Sequence, residues 1–199
     1  MTINNPKLSI VVIVAILLAG IGANAQVGPE MRETKTADGL VIVSNVEGNY
    51  FRMQIKGKDV SRLHTTKKYW YTADGVRFQF FSEANVNFVM TDVPTLADGM
   101  VLKLYRSDFL RRFADENRKI RTSWPKLANN ETALLLNYEN HPATPQPITE
   151  KQIYIVVATP MHVFGLFAPV PHGQTDAQVK QVLIRTLGTF KFGEEKASL

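Results

Sequence analysis

The chain has 199 residues, a formal net charge of +5 at pH 7 and no cysteine. Without cysteine it forms no disulfide, has no thiol nucleophile and cannot carry a lipid-modified cysteine. A domain of this size buries about 70% of the surface of its unfolded chain, so an apolar core alone can stabilise it. Length and composition therefore predict one ordinary globular domain.

The first 25 residues have the three parts of a secretory signal peptide. Residues 1–7 are polar with one lysine, residues 8–23 are almost entirely apolar, and residues 23–25 (Ala-Asn-Ala) have the pattern that signal peptidase accepts. The alternative is an uncleaved membrane anchor. The apolar run is shorter than the ~20 residues that cross a bilayer, so we expect cleavage after Ala25 and export to the periplasm or the medium.

The charge that remains after cleavage limits the partners. Removal of residues 1–25 takes away one lysine and no acid, so the net charge falls from +5 to +4. Basicity this mild fits an acidic envelope protein or an anionic membrane surface, and equally an ordinary solvated surface. Export argues against nucleic acid as a partner.

The first elements after the predicted cleavage site are strands. Residues 26–36 are polar, and we expect them to form a flexible lead-in to the domain. Residues 40–44 and 50–56 are rich in β-branched and aromatic side chains and are bounded by glycines, which is typical of strands. Residues 47–49 (Glu-Gly-Asn) suit a tight turn between them.

The clearest local signal is a hairpin. Asp74-Gly75 separates the aromatic runs 69–73 and 76–81. An Asp-Gly pair at this position favours a type I′ turn, because both central residues then need a positive φ. Phe78 and Phe80 are expected to face a core.

Residues 95–120 have a mostly helical pattern, although residues 99–105 leave its first half ambiguous. Ser107 is a plausible N-cap, and Pro125 ends any continuation. The apolar side carries Phe109, Leu110, Phe113 and Ala114. The charged side carries the i,i+4 pairs Arg111 with Asp115, Arg112 with Glu116, and Asp115 with Lys119.

Three strands and two loops are predicted next. Residues 133–138 are an apolar strand, and the proline-rich residues 141–147 form a loop. Residues 153–158 are apolar on both faces, which is typical of a central strand that is covered on both sides. Residues 162–167 are its predicted neighbour, and residues 168–174 form a second loop.

A short helix and a closing strand complete the domain. Thr175 or Asp176 caps the helix, Gly188 ends it at the C′ position, and residues 189–192 form the strand. These elements predict a single α+β domain over residues 37–193 with a largely antiparallel sheet packed with two helices, followed by a tail over residues 194–199.

The last third of the chain resembles the PsbP-like exported proteins, a group that includes the DcrB-type envelope lipoproteins. The resemblance lies in the order of elements across about 70 residues: ALLLNY, a variable loop, IYIVVA, HVFGLF, a loop, the helix 176–187 and TFKF. It implies an antiparallel sheet sandwiched by helices and a non-enzymatic accessory role in an envelope or membrane complex. The lipoprotein members need a cysteine at the cleavage site, where this chain has Gln26.

No motif for catalysis or for a cofactor is present. No serine stands in the G-x-S-x-G pattern of a nucleophile elbow, and no glycine-rich loop is built to hold phosphate. The four histidines, His64, His141, His162 and His172, lack the close spacing of metal ligands. His162 and His172 could converge from neighbouring elements, but surface or hydrogen-bonded histidines are the commoner case. We therefore expect no metal and no cofactor.

Two features have binding character. One is a basic run with a tryptophan in it, formed by Arg106, Arg111, Arg112, Arg118, Lys119, Arg121, Trp124 and Lys126. It is either a salt-bridged, solvated helix face or an anionic docking surface. The docking residues would be Arg111, Arg112, Arg118 and Lys119, with Trp124 as an anchor. The other feature is the aromatic hairpin, expected to be core on one face and a tyrosine-decorated sheet on the other.

These observations favour an exported, non-enzymatic accessory or binding protein of the cell envelope. The alternative is an envelope hydrolase whose site is assembled from distant residues, because catalytic carboxylates need not be adjacent in sequence. The absence of a catalytic motif favours the first hypothesis.

Overall fold

The computed structural model describes residues 32–46, 49–63, 69–84, 98–114, 118–141, 150–159 and 162–193. The predicted signal peptide, residues 26–31, most of the proline-rich stretch and the tail lie outside the described residues. The elements in chain order are β1 (Arg32–Thr36), β2 (Gly39–Val46), β3 (Asn49–Lys56), β4 (Ser61–Leu63), β5 (Trp70–Ala73), β6 (Val76–Ala84), α1 (Asp98–Phe113), β7 (Arg118–Ser123), β8 (Leu134–Asn140), β9 (Glu150–Ala158), β10 (His162–Pro169), α2 (Asp176–Leu187) and β11 (Lys191–Phe192).

The strands in the described part of the chain form two antiparallel sheets. The smaller sheet has four strands in the order β1-β2-β3-β11, and the larger has seven in the order β4-β5-β6-β10-β9-β8-β7. Every strand pair is antiparallel. The predicted α+β class with a largely antiparallel sheet is therefore confirmed.

The main core lies between the two sheets and includes α2. Phe51 of β3 packs against Phe80 of β6 and Phe164 of β10, with ring centroids 4.9 and 5.7 Å apart. Val179 and Leu183 of α2 belong to the same buried cluster. Since side chains alternate along a strand, the other face of the seven-stranded sheet needs its own cover.

Helix α1 supplies that cover. Its residues Val101, Leu102 and Phe109 are buried against Leu134 of β8 and Val156 of β9. The neighbouring residues Ile153, Ile155 and Val157 of β9 point to the main core instead. Strand β9 is thus covered on both faces, with β10 beside it, as the apolar pattern predicted. None of the described helices is both long and apolar enough to cross a membrane.

The Asp74-Gly75 hairpin is confirmed. Ala73 pairs with Val76, and the two turn residues have φ angles of 51° and 75°, which is the type I′ conformation. Phe78 and Phe80 are buried, as expected. In α2, Thr175 is the N-cap and forms a capping box with Gln178.

Three predictions need correction. The expected flexible lead-in is wrong for Arg32–Thr36, which pairs with β2 through its backbone although most of its side chains are exposed. Helix α1 begins at Asp98 rather than at Ser107, whose hydroxyl donates a hydrogen bond to the Lys103 carbonyl one turn earlier. Gly188 ends α2 as predicted, but it is the C-cap residue and not the C′ residue, and its φ of −65° is right-handed.

The predicted helix over residues 95–120 is also wrong at its end. Residues 118–123 form strand β7, which pairs with β8 at the edge of the larger sheet. Burial alternates along it with the period of a strand, since Ile120 and Thr122 are half-buried while Lys119 and Arg121 are exposed. The i,i+4 charge pairs made this stretch look helical, but the pairing with β8 determines its structure. Strand β11 is confirmed only for Lys191–Phe192, the second half of the predicted closing strand.

Candidate docking surface on helix α1 and strand β7

The five predicted docking residues lie on two elements rather than on one basic helix. Arg111 and Arg112 are in the last turn of α1, Arg118 and Lys119 begin β7, and Trp124 follows β7 directly. Helix α1 and strand β7 follow one another in the chain and are also joined by a side-chain hydrogen bond. Arg106 Nε donates this 3.0 Å bond to Thr122 Oγ1.

Strand geometry separates two of the predicted residues. Ile120 packs against the cluster beneath α1, so Arg118, two residues away, lies on the sheet face that α1 covers. Lys119 lies on the opposite face, where it is exposed. Arg118 and Lys119 therefore do not act on the same surface, and the structure groups Arg118 with the side of α1.

The arginines at the end of α1 have a partner within the helix. Both Arg111 and Arg112 form ion pairs with Asp108, at i,i+3 and i,i+4. Their expected partners, Asp115 and Glu116, lie outside the described residues. The Arg111 side chain is 80% exposed in spite of its ion pair, so it remains accessible to a partner molecule.

The positive charge of the protein is concentrated in this segment. Residues 98–126 contain eight Lys and Arg and four Asp and Glu, a net charge of +4. The chain without residues 1–25 also has a net charge of +4, so the rest of it is neutral as a whole. The segment that forms α1 and β7 thus dominates the long-range electrostatics of the domain.

The same segment exposes apolar side chains. Among the described residues, the exposed large hydrophobic side chains are Met100 (51%), Leu104 (37%), Phe113 (37%) and Trp124 (40%). Single exposed apolar residues are ordinary, but here all four occur within the basic segment. Because the exposed apolar residues and the net positive charge occur in the same segment, its surface is the candidate functional site.

Helix periodicity explains the composition of the outer side of α1. Met100, Lys103, Leu104, Ser107 and Arg111 recur every three or four residues and are all exposed. The side toward the sheet carries the buried residues named above. We define the docking surface as this outer side of α1 together with Trp124.

Met100 and Leu104 were not predicted as site residues. The helical pattern is ambiguous over residues 99–105, where the buried pair Val101 and Leu102 lies between the exposed Met100 and Leu104. The signal that identifies them is the i,i+4 spacing of two apolar residues on the same side as Lys103 and Arg111, once the side facing the sheet is known.

The aromatic side chains of the hairpin pack against other side chains of the domain. Its core face is confirmed, but Tyr71 belongs to that core and does not decorate the outer face. On the outer face, the guanidinium of Arg77 lies 4.5 Å from the centroid of the Trp70 ring. The ring of Phe167, in β10, packs against the same Trp70 ring with the centroids 5.6 Å apart. Phe167 stacks on Tyr154 in turn, at 5.0 Å. Because these rings pack against one another, the hairpin is a packing feature rather than a binding platform.

The histidines do not converge. His162 begins β10 and is buried beside the ring of Phe164, while His172 follows the end of that eight-residue strand. His141 is exposed, with its Nε2 atom 3.6 Å from Glu139 Oε2, and His64 lies outside the described residues. In the described part of the chain, no three His, Asp or Glu side chains lie close enough together to hold a metal ion.

Two groups with a shifted pKa serve the fold. The Tyr71 hydroxyl donates a 2.9 Å hydrogen bond to Glu33 Oε1 of β1, and its burial raises its pKa well above the ordinary value. The backbone N–H of Lys58 and the guanidinium of Arg185 lower the pKa of Asp74. Both groups join separate elements and neither faces the docking surface.

Comparison with known proteins adds no family to this description. No model of a protein family matches the chain, and no curated protein is significantly similar to it. The fold and the docking surface are therefore the basis for inferring a function.

Proposed function

We propose that this chain is an exported, non-enzymatic accessory or binding protein of the cell envelope. Its docking surface on α1 binds an acidic envelope protein or an anionic membrane surface. The proposal includes removal of residues 1–25 after Ala25, as the pattern of the first 25 residues favours.

One observation carries the proposal: the net charge and the exposed large hydrophobic side chains of the described residues occur in the same segment, 98–126. A helix that served only to cover the sheet would need an apolar inner side and a charged or polar outer side. The outer side of α1 instead combines Lys103 and Arg111 with Met100 and Leu104. Such a combination is typical of a surface that docks.

The resemblance to PsbP-like proteins supports the accessory role. The matching order of elements includes β8, β9, β10, α2 and β11, which together form much of the core. The resemblance implies an accessory protein with no active site. Ser44 and Ser82 are buried in the core, where a substrate could not reach their hydroxyls.

Export is tested by intact mass. The protein recovered from the envelope or the medium should begin at Gln26, and the precursor should be restricted to the cytoplasm and inner membrane. A recovered protein that still contains residues 1–25 would make the segment an anchor and contradict the proposal of cleavage.

Docking is tested by affinity capture from envelope membranes and extract at low and high salt. The test variant replaces Lys103 and Arg111 by Gln, since both are exposed and lie on the outer side of α1. The control variant replaces the exposed Lys35 of β1 and Lys56 of β3 by Gln, which removes the same charge from the smaller sheet. Loss of bound material in the test variant alone supports the docking surface. Identical capture by all forms would overturn it.

A further inference from the structure

We infer that the docking surface binds the anionic surface of a lipid bilayer, with Met100 and Leu104 inserted between the headgroups and with Lys103 and Arg111 on the phosphates. This inference rests on the proposed function and specifies its partner. It assigns α1 the role of an interfacial helix that lies in the plane of the membrane surface.

The outer side of α1 carries the two kinds of side chain that bind a membrane surface. Apolar side chains enter the headgroup layer, and cations reach the lipid phosphates. Met100 and Leu104 are one turn apart and exposed, with Lys103 between them and Arg111 two turns beyond Leu104. Long basic side chains can extend to the phosphates while apolar neighbours go deeper.

A lipid surface fits this mixture better than an acidic protein does. The core of a protein interface is depleted in charged residues, which are found at its rim. On α1 Lys103 directly precedes Leu104 and is three residues from Met100, so an apolar patch on a protein partner that covers Met100 and Leu104 would also have to bury Lys103. A headgroup layer avoids this cost, because phosphate and acyl chain lie within ~5–10 Å of each other in depth.

Trp124 adds an aromatic anchor next to the helix. It is 40% exposed, directly follows β7, and is two residues from Thr122, which bonds to Arg106 of α1. Tryptophan prefers the interface between water and membrane, because its ring is apolar while its N–H donates a hydrogen bond. The anchor and the helix belong to the same basic segment.

The test uses the protein as recovered from expressing cells and two kinds of vesicle. One contains phosphatidylcholine alone, and the other contains phosphatidylcholine with phosphatidylglycerol. Cosedimentation is measured at low and high salt. Binding to neutral vesicles measures apolar insertion without the lipid charge, and residues 8–23 contribute equally to it in every form that retains them. We expect the wild type to bind the anionic vesicles more tightly than the neutral ones, and to bind the anionic vesicles less tightly at high salt than at low salt.

Two variants separate the contribution of charge to vesicle binding from the contribution of apolar insertion. Replacing Lys103 and Arg111 by Gln should weaken binding to anionic vesicles about 30-fold, since each cation near such a surface contributes about fivefold. Replacing Met100 and Leu104 by Gln should weaken it about tenfold or more at both salt concentrations. The Lys35→Gln, Lys56→Gln control should bind like the wild type, and all variants should keep the wild-type melting temperature within a few degrees.

The lipid inference and the proposed function fail in different ways. Equal binding of the wild type and the Lys103→Gln, Arg111→Gln variant to anionic vesicles overturns the lipid inference. If that variant then still loses an acidic protein from envelope extract, the docking surface stands and its partner is that protein. If the variant matches the wild type in both assays, both proposals are wrong.

Discussion

The carboxylate of Asp74, at the tip of the β5–β6 hairpin, forms an ion pair with the guanidinium of Arg185 in the last turn of α2. The other carboxylate oxygen accepts a 2.6 Å hydrogen bond from the backbone N–H of Lys58. The amide of Gln174 also donates to the Gly75 carbonyl, at 2.9 Å. The turn that the sequence predicts locally is therefore also a tertiary junction between the hairpin, α2 and the loop before β4.

Replacement of Asp74 by Asn should make the stability of the domain less dependent on pH in the acid range. The Lys58 N–H and Arg185 lower the pKa of Asp74 below its unfolded value, so the carboxylate stabilises the fold above the unfolded pKa. That contribution is lost as the pH falls through the folded pKa. Asn keeps the turn conformation but has no charge. Denaturant midpoints of wild type and variant should therefore differ at neutral pH and converge in acid. An equal difference at every pH would contradict the role of the Asp74 charge.

Replacement of Gly75 by Val should destabilise the domain by roughly 1 kcal/mol or more. The φ of Gly75 is 75°, which a β-branched residue rarely adopts. A Cβ at this position would contact nothing within 4 Å, so the cost comes from the backbone alone. Gly75→Asn is the matched control, because Asn tolerates this conformation. Equal melting temperatures of the Val and Asn variants would contradict the type I′ turn.

Replacement of Gly165 by Ala should also destabilise the fold, for a steric reason. A Cβ on Gly165 would collide with Phe81 Cζ and lie 2.9 Å from the Ile155 carbonyl oxygen. We expect a cost of about 1–3 kcal/mol from overpacking. Adding Phe81→Leu should recover part of the loss, since it removes the closer contact. Strict additivity of the two substitutions would show that Phe81 is not the obstacle.

Replacement of Tyr71 by Phe should cost about 1–2 kcal/mol, because it removes a buried hydrogen bond to a carboxylate. Tyr71 of the larger sheet bonds to Glu33 of β1, which also accepts a 3.2 Å hydrogen bond from Arg62. The hydroxyl thus joins the two sheets at one side of the core. Chemical denaturation measures the change. Hydrogen exchange should show the loosening in β1, and uniform loosening across the domain would contradict this local role.

The sequence predicts those elements whose signals are local. The Asp74-Gly75 turn, the apolar run of β9 and the Thr175 cap each carry their own chemistry, and the structure confirms all three. Strand β1 was missed because its polar side chains stay exposed, and pairing with β2 alone makes it a strand. The local sequence pattern does not show which strands pair with each other.

The candidate site was predicted only in part, for a related reason. The cations of the segment are visible in the sequence, but their distribution over α1 and two faces of β7 follows from pairing with β8. The exposure of Met100 and Leu104 depends on which side of α1 packs on the sheet, and Val101 and Leu102 are equally apolar neighbours. Tertiary packing determines that Val101 and Leu102 are buried and that Met100 and Leu104 are exposed.

Replacement of Asp108 by Asn should strengthen binding to anionic vesicles. Asp108 pairs with both Arg111 and Arg112, so the substitution removes one negative charge and releases two guanidinium groups toward the lipid phosphates. We expect a gain of about fivefold at low salt, the effect of one charge near an anionic surface, and no gain at high salt. The free energy of unfolding should change by only a few tenths of a kcal/mol, since these are surface ion pairs. Asp38→Asn makes the same change of charge on the smaller sheet and serves as the control. An equal gain in both variants would mean that net charge, and not the docking surface on α1, determines the affinity for the membrane.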